Sequence, residues 1–420
     1  MSIRKSIYSV ATANMIGAAL SAIYYPILTK FIGFPPEYFG KYQTLLSIAT
    51  IFSTVSLFSF NWAYVSDDTA HSDDEKNSIF AFGMGLIVIW TGIIYIIFGL
   101  IMDMKSSFYI SIIMFSNSAV QLSYSILRDE KKFAILSKFI ALRAFLNVGI
   151  GVLFGFLLKG WDALVYGNAG SNALILLISI LVERIRIPQK NPIAFAKKLY
   201  YKKKNVVIFQ TITSLLNSSS LNVPIILMRI IFGEHYVGLY SIAFRLLSFT
   251  NSLLTRAFSE TFLAYMSKSK EDSKRIFDNL WKIALVIFVV YSLVSLLSAF
   301  YVPILFGNEY IDLSKLIKVL SIWLYTVAVI SPYTVIFIAR NKAHYGLFMN
   351  ILLVIFRSLA IIGGKYYGFW NSMWIMTTIG SLVFVIFGVI SHRIENISSK
   401  KNLSVLVPCQ ILIAIFAVIF

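Results

Sequence analysis

The sequence predicts an all-α integral membrane protein: about 12 transmembrane helices in two pseudo-symmetric six-helix bundles, plus a short C-terminal apolar segment. Three observations carry this reading: an extreme composition, apolar runs that recur along the whole length, and a motif that repeats half a chain later. The composition is 58% hydrophobic and only 13% charged, with a mean hydropathy of +0.79, beyond what a water-soluble domain tolerates. The runs are unbroken over 18 or more residues, enough to cross a hydrocarbon core of roughly 30 Å as helices. A barrel would instead show alternation over about 10 residues.

Apolar runs set against polar breaks place the first six spans near 7–32, 39–65, 79–102, 108–127, 133–158 and 162–182. The second six fall near 206–232, 237–266, 280–305, 316–339, 343–362 and 370–391. This divides the chain into an N-terminal bundle, 1–183, a basic linker, 184–205, a C-terminal bundle, 206–392, and a tail, 393–420. The tail's apolar piece, 405–420, contains Pro408 and is either a short thirteenth span or an interfacial segment. Arg4 and Lys5 precede the first run as they would in a signal peptide, but that run is too long for a cleavable h-region and reads as a retained helix.

With the N-terminus inside, Lys and Arg crowd the inner connections, while the outer ones carry only Lys41, Lys105, Lys159, Lys315 and Lys365. That asymmetry orients the N-terminus to the cytoplasm. The formal net charge of +18 is then a topology signal and an attraction to anionic lipid, and needs no nucleic-acid partner. The linker concentrates eight basic residues, among them Lys197, Lys198 and Lys202 to Lys204, in a pattern expected of an amphipathic helix lying on headgroups. Cys409 is the only cysteine and the four histidines are scattered, so neither a disulfide nor a metal site is expected, and no cofactor.

The repeat appears when residue 26 is set against residue 224. "PILTKFIGFPPEYFGKY" then overlies "PIILMRIIFGEHYVGLY", with Pro26/Pro224, Tyr38/Tyr236, Gly40/Gly238 and Tyr42/Tyr240 in register. Both copies join the first and second helices of their own six-helix set, as duplication of an even number of spans requires. Parallel repeats of this kind place a central site at their interface in secondary transporters.

The stretch "FGEHYVGLYSIAFRLLSFTNSLLTRAFSETFLAYMSK", with "VPILFGNEYIDLSKLIKVLSIW", "ISPYTVIFIARNK" and "FGKY", resembles the polysaccharide and O-antigen flippases of the multidrug, oligosaccharidyl-lipid and polysaccharide exporter superfamily. The odd, short last segment departs from that superfamily's usual twelve or fourteen spans. The resemblance implies a bacterial inner-membrane protein that moves an undecaprenyl-pyrophosphate-linked oligosaccharide between leaflets by alternating access. Its implied partners are the lipid-linked oligosaccharide, membrane lipid and other polysaccharide-assembly proteins. Alternatives are a drug or small-molecule exporter of the same superfamily, or a polytopic O-antigen polymerase or glycosyltransferase. The short outer connections and the lack of paired carboxylates, a nucleophile elbow or a phosphate loop weigh against an enzyme.

Charges within the spans are the sharpest functional signal, since an ion at the bilayer centre costs roughly 2.5–3.5 kcal/mol on insertion scales. Arg143 sits near the middle of the fifth span with Asn147 one turn on. Arg245 and Arg256 lie about 20° apart on the eighth, with Ser252 between and Glu260 beyond. Arg357 falls just outside the middle of the eleventh. Arg143, Arg245, Arg256 and Arg357 are expected to form a cationic lumen for a pyrophosphate, with Asn147, Asn217 and Ser252 as its polar lining. Glu260 and Asp162 are the candidate carboxylates for energy coupling. The competing structural reading has Arg256 bridged to Glu260, Arg357 turned to headgroups, and the polar residues acting as interhelical glue.

Overall fold

The structure, a computed structural model, describes residues 3–66, 71–189, 191–248, 270–334, 336–340, 342–394 and 399–419. Every regular element among them is helical, and ten helices are long and apolar enough to cross a membrane, with a shorter apolar helix at Asn402–Val418. Contacts divide the chain into two compact units, Met1–Leu20 with Tyr42–Asn222 and Ser21–Lys41 with Val223–Phe420.

The first unit contains most of α1 (Ile3–Pro26), α2 (Pro36–Val55), α3 (Phe60–Val65), α4 (Asp73–Ile101), α5 (Met104–Asp129), α6 (Phe133–Leu158), α7 (Asp162–Val182) and the larger part of α8 (Pro192–Phe232). Polar side chains set where the helices begin. Ser72 and Glu75 form a reciprocal capping box at α4, and Asp103 accepts from the Ser106 backbone N–H at 2.7 Å to start α5. More of α5 is buried than of any other membrane-length helix in this unit. Its interior face is lined by serines, including Ser107, Ser111, Ser116, Ser118 and Ser123, whose small side chains admit α3, α4, α6 and α7 around it.

The second span, expected as one helix over 39–65, is interrupted between α2 and α3. Phe58 and Ser59 have φ of 44° and 55°, the left-handed region that non-glycine residues rarely occupy. Hydropathy reads straight through this stretch because it holds no Pro or Gly. Tertiary hydrogen bonds hold the break: Ser56 Oγ donates to Ser118 Oγ at 2.9 Å, and Thr211 Oγ1 to Ser59 Oγ at 3.0 Å. A second break comes at Lys203 (φ −125°, ψ 29°), where α8 turns from its basic first segment into the membrane-length run.

The second unit contains the end of α1 with its π-turn Ile27–Ile32, the start of α2, the end of α8, α9 (234–248), α10 (Lys270–Phe306), α11 (Ile311–Thr334), α12 (Ile336–Ala339), α13 (Ala343–Tyr367), α14 (Phe369–Ile394) and α15 (Lys400–Ile419). Here α11 is the most buried membrane-length helix, enclosed by α10, α14 and α15. Within the tail, Lys400–Ile419 form one helix, α15, with Pro408 near its middle, packed on α10 and α11.

Apart from Tyr42, both copies of the repeat fall in this unit, and they lie against each other. A Cβ on Gly40 would sit 1.8 Å from the Glu234 carbonyl oxygen, and one on Gly238 would sit 1.8 Å from the Pro36 carbonyl oxygen. With the 198-residue offset of the repeat, these are the same contact made twice, in opposite directions. Glu37 and His235 are each other's counterparts in that register and pair at 2.7 Å, Nδ1 to Oε1. Around them, Tyr310 donates to the Phe34 carbonyl at 2.5 Å, Arg229 pairs with Glu234 at 2.8 Å, and Tyr236 stacks on Phe369 at 4.1 Å.

Candidate functional site

The arginines singled out in the sequence are held in two different ways. In the first unit, Arg143 of α6 donates through Nη2 to Asn117 Oδ1 of α5 at 3.1 Å. The same oxygen accepts from Asn172 Nδ2 of α7 at 2.8 Å, and that amide also lies 3.3 Å from Ser116 Oγ and 3.2 Å from Asn168 Oδ1. Three helices thus meet at one amide oxygen. Asn172 is fully buried, whereas Arg143 is half-buried. The partners of Arg143 are neutral, and among the described residues no carboxylate pairs with it. A guanidinium has five N–H donors, so this network orients the cation without neutralising it.

Local packing explains the placement. Asn147, one turn beyond Arg143, is half-buried, and its backbone oxygen would lie 2.9 Å from a Cβ on Gly167 of α7. Without that side chain, α6 and α7 approach closely enough for Asn168 and Asn172 to reach the Arg143 level. Asn117 lies in the fourth span of the sequence, but nothing local to it names its partners. The signal for them is the i,i+4 pair of asparagines in "YGNAGSN", where α7 would otherwise be apolar.

In the second unit, aromatic faces hold the arginines. The Arg357 guanidinium of α13 lies 4.1 Å from the ring centroid of Trp323 on α11, and Arg357 is 4% exposed. Trp323 stacks with Phe244 at 5.9 Å, and Phe244 with Tyr240 at 5.9 Å. Arg245, the next residue on α9, lies 5.2 Å from the ring of Tyr25. A ring face stabilises a cation by about 0.5–2 kcal/mol without supplying counter-charge. No sequence pattern points to Trp323 or Tyr25, because their pairing with arginine arises from helices far apart in the chain.

Ser252, Arg256 and Glu260 lie outside the described residues, so the stripe expected on the eighth span is described only as far as Arg245. Asn217 is exposed on α8. Asp162 stands at the first residue of α7 and pairs with Lys105 at 2.8 Å, beside the rings of Tyr109 and Trp161. Among the described residues no cluster of His, Cys, Asp and Glu could hold a metal ion.

Residues 27–315 match the sequence profile of a family described as polysaccharide biosynthesis protein, a segment that contains Arg143 and Arg245 but ends before Arg357. No curated protein matches the chain. Among solved structures, the fold is similar to that of the lipid II flippase MurJ in an inward closed conformation, with a TM-score of 0.76 and 14% identity over 98% of this chain and 93% of that one. It is also similar to an inward-facing multidrug resistance transporter of the MATE family in the MOP superfamily (TM-score 0.70, 14% identity, 93% and 97% covered). A third is a MOP superfamily transporter from Pyrococcus furiosus whose structure is titled for the reverse polarity of its binding pocket (TM-score 0.58, 17% identity, 94% and 96% covered).

Proposed function

The chain belongs to the polysaccharide biosynthesis protein family, and from that premise we propose that it moves an undecaprenyl-pyrophosphate-linked oligosaccharide, an O-antigen or related repeat unit, across the bacterial inner membrane by alternating access. The observation that supports this most is Arg143, a mid-span cation oriented by an amide and, among the described residues, paired with no carboxylate. An anionic headgroup crossing a low-dielectric region needs such a partner, since planar guanidinium groups bind phosphate oxygens in pairs and stay charged. Arg245, on its aromatic support, and Arg256, further along the eighth span expected from the sequence, are proposed as further phosphate contacts. Arg357 would act from beneath Trp323. Asn147, Asn217 and Ser252 are proposed contacts to sugar hydroxyls, and Glu260 or Asp162 the carboxylate that couples movement to an ion.

The drug-exporter alternative takes mostly cationic substrates, which call for acidic rather than basic residues in the spans. A strain lacking this gene should lose surface polysaccharide and accumulate lipid-linked glycan facing the cytoplasm, and the wild-type gene should restore both. Arg143→Ala and Arg245→Ala should each reach the membrane in wild-type amounts and fail to restore export. Full export by both variants would remove the arginines from the transport path. Normal surface glycan in the deletion strain, with changed resistance to cationic drugs, would favour the exporter reading.

A further inference from the structure

We propose that the first unit carries a dedicated site for an anionic phospholipid, in an apolar groove where the basic start of α8 meets the broken second span. The inference stands apart from the proposed transport function. The groove encloses about 620 Å³ and is lined by Phe58, Phe60, Phe82, Tyr200, Ile208 and Ile212, with Lys197 among the few polar residues in its wall.

Two backbone irregularities create it. Phe58 and Phe60, at the left-handed turn, line one side of it, and Lys197, Tyr200 and Tyr201, just before the break at Lys203, line another. Hydrogen bonds pin both walls: Thr211 Oγ1 donates to Ser59 Oγ at 3.0 Å, and Lys203 Nζ to the Ser66 carbonyl at 2.8 Å. Ring contacts of Phe60 with Phe82 at 5.1 Å and with Tyr200 at 6.4 Å line the inside. A concave apolar surface fixed at four points is a preformed cavity, unlike a yielding patch of side chains.

Charge complementarity identifies the occupant. Lys197 lines the groove, and Lys198, Lys202 and Lys204 are exposed within the same eight residues of chain, at the end of the span where the inner-leaflet surface is expected. Basic clusters next to a membrane helix attract anionic headgroups by about 1 kcal/mol per lysine. An acyl chain seated between the rings would place its phosphate against Lys197, so the site reads head and tail together. A zwitterionic phospholipid offers the same tail and a weaker head.

Native mass spectrometry of the detergent-purified full chain, titrated with phosphatidylglycerol or phosphatidylcholine, tests the assignment. Wild-type protein should retain phosphatidylglycerol at least fivefold better, and phosphatidylglycerol alone should raise its melting temperature. Ile212→Trp fills the groove from an exposed wall position, and Lys197→Glu reverses the charge. Each should abolish the preference while melting without added lipid at the wild-type temperature. Equal retention of both lipids by wild type, or an undiminished preference in both variants, would overturn the proposal. Displacement of bound phosphatidylglycerol by stoichiometric undecaprenyl phosphate would overturn it in favour of a substrate-tail site.

Discussion

Among the described residues the two most buried membrane-length helices, α5 and α11, hold the same ordinal place in their six-helix sets, yet their interiors differ. The buried face of α5 carries seven serines among its aliphatic and tyrosine side chains, whereas α11 buries two serines and contributes Trp323, Tyr325 and Tyr333 to its core. The arginines differ accordingly. Arg143 is aimed by the Asn117 and Asn172 amides and stays partly open, while Arg357 is closed in under an indole. A hydrogen-bonded amide fixes direction, but a ring face fixes only proximity. The first arrangement leaves the charge partly open, and the second surrounds it with packed side chains.

The sharpest way to break that contrast is Asn117→Leu, which removes the acceptor shared by Arg143 and Asn172. It strands a cation and an amide together, with an expected loss of about 3 kcal/mol and of export. Retention of both would show that Arg143 does not depend on the network. Gly40→Ala and Gly238→Ala come next. Each drives a methyl into a backbone carbonyl of the opposite repeat copy, costing on the order of 2 kcal/mol, and the two should produce similar drops in melting temperature. Unequal effects would mean the contact is not symmetric in energy.

Arg357→Met separates support from ligand contact. A structural Arg357 predicts a melting temperature within a few degrees of wild type and continued export, because a packed apolar side chain often replaces a buried charge at little cost. A substrate contact predicts lost export at unchanged stability.

The smallest effect concerns an ion cluster at the ends of α4, α5 and α7. There Lys132 lies 2.6 Å from Glu130 and 2.7 Å from Glu183, and Lys76 lies 3.0 Å from Glu130. Burial acts to raise the pKa of Glu130, but hydrogen bonds with Glu183, Lys132 and Lys76 prevail and hold it at about 2. Its contribution is present above the ordinary value of 4.5 and is lost as pH falls toward 2. Glu183 goes the other way, pushed up by burial and then by Glu130, so its contribution is lost as pH rises through that elevated value. Glu183→Gln should therefore leave melting at pH 4 unchanged and raise it by a degree or two at alkaline pH, on the scale of about 1 kcal/mol or less. A uniform shift at all pH values would place the effect in packing rather than charge.

Within the described residues, hydropathy and turn residues were enough to locate ten of the membrane-length helices, because in lipid a backbone must satisfy its own hydrogen bonds and a long apolar run has no other stable form. The same logic failed between α2 and α3, where the irregular backbone at Phe58 and Ser59 is sustained by Ser118 and Thr211, residues remote in sequence. Arg143, Arg245 and Arg357 were visible as charges in apolar runs, since their cost is local. Their partners, Asn172, Tyr25 and Trp323, come from other helices and could not be chosen from the many amides and rings available. Likewise, the register of "PPEYFGKY" with "GEHYVGLY" was legible, but its meaning was not. Sequence by itself determined the class of solvent, the helices and the duplication, all consequences of residue-by-residue transfer energies. Only the tertiary structure decided that the two repeat copies clasp each other through Gly40 and Gly238, and that one arginine is aimed while another is enclosed, because both depend on which distant surfaces come within van der Waals reach.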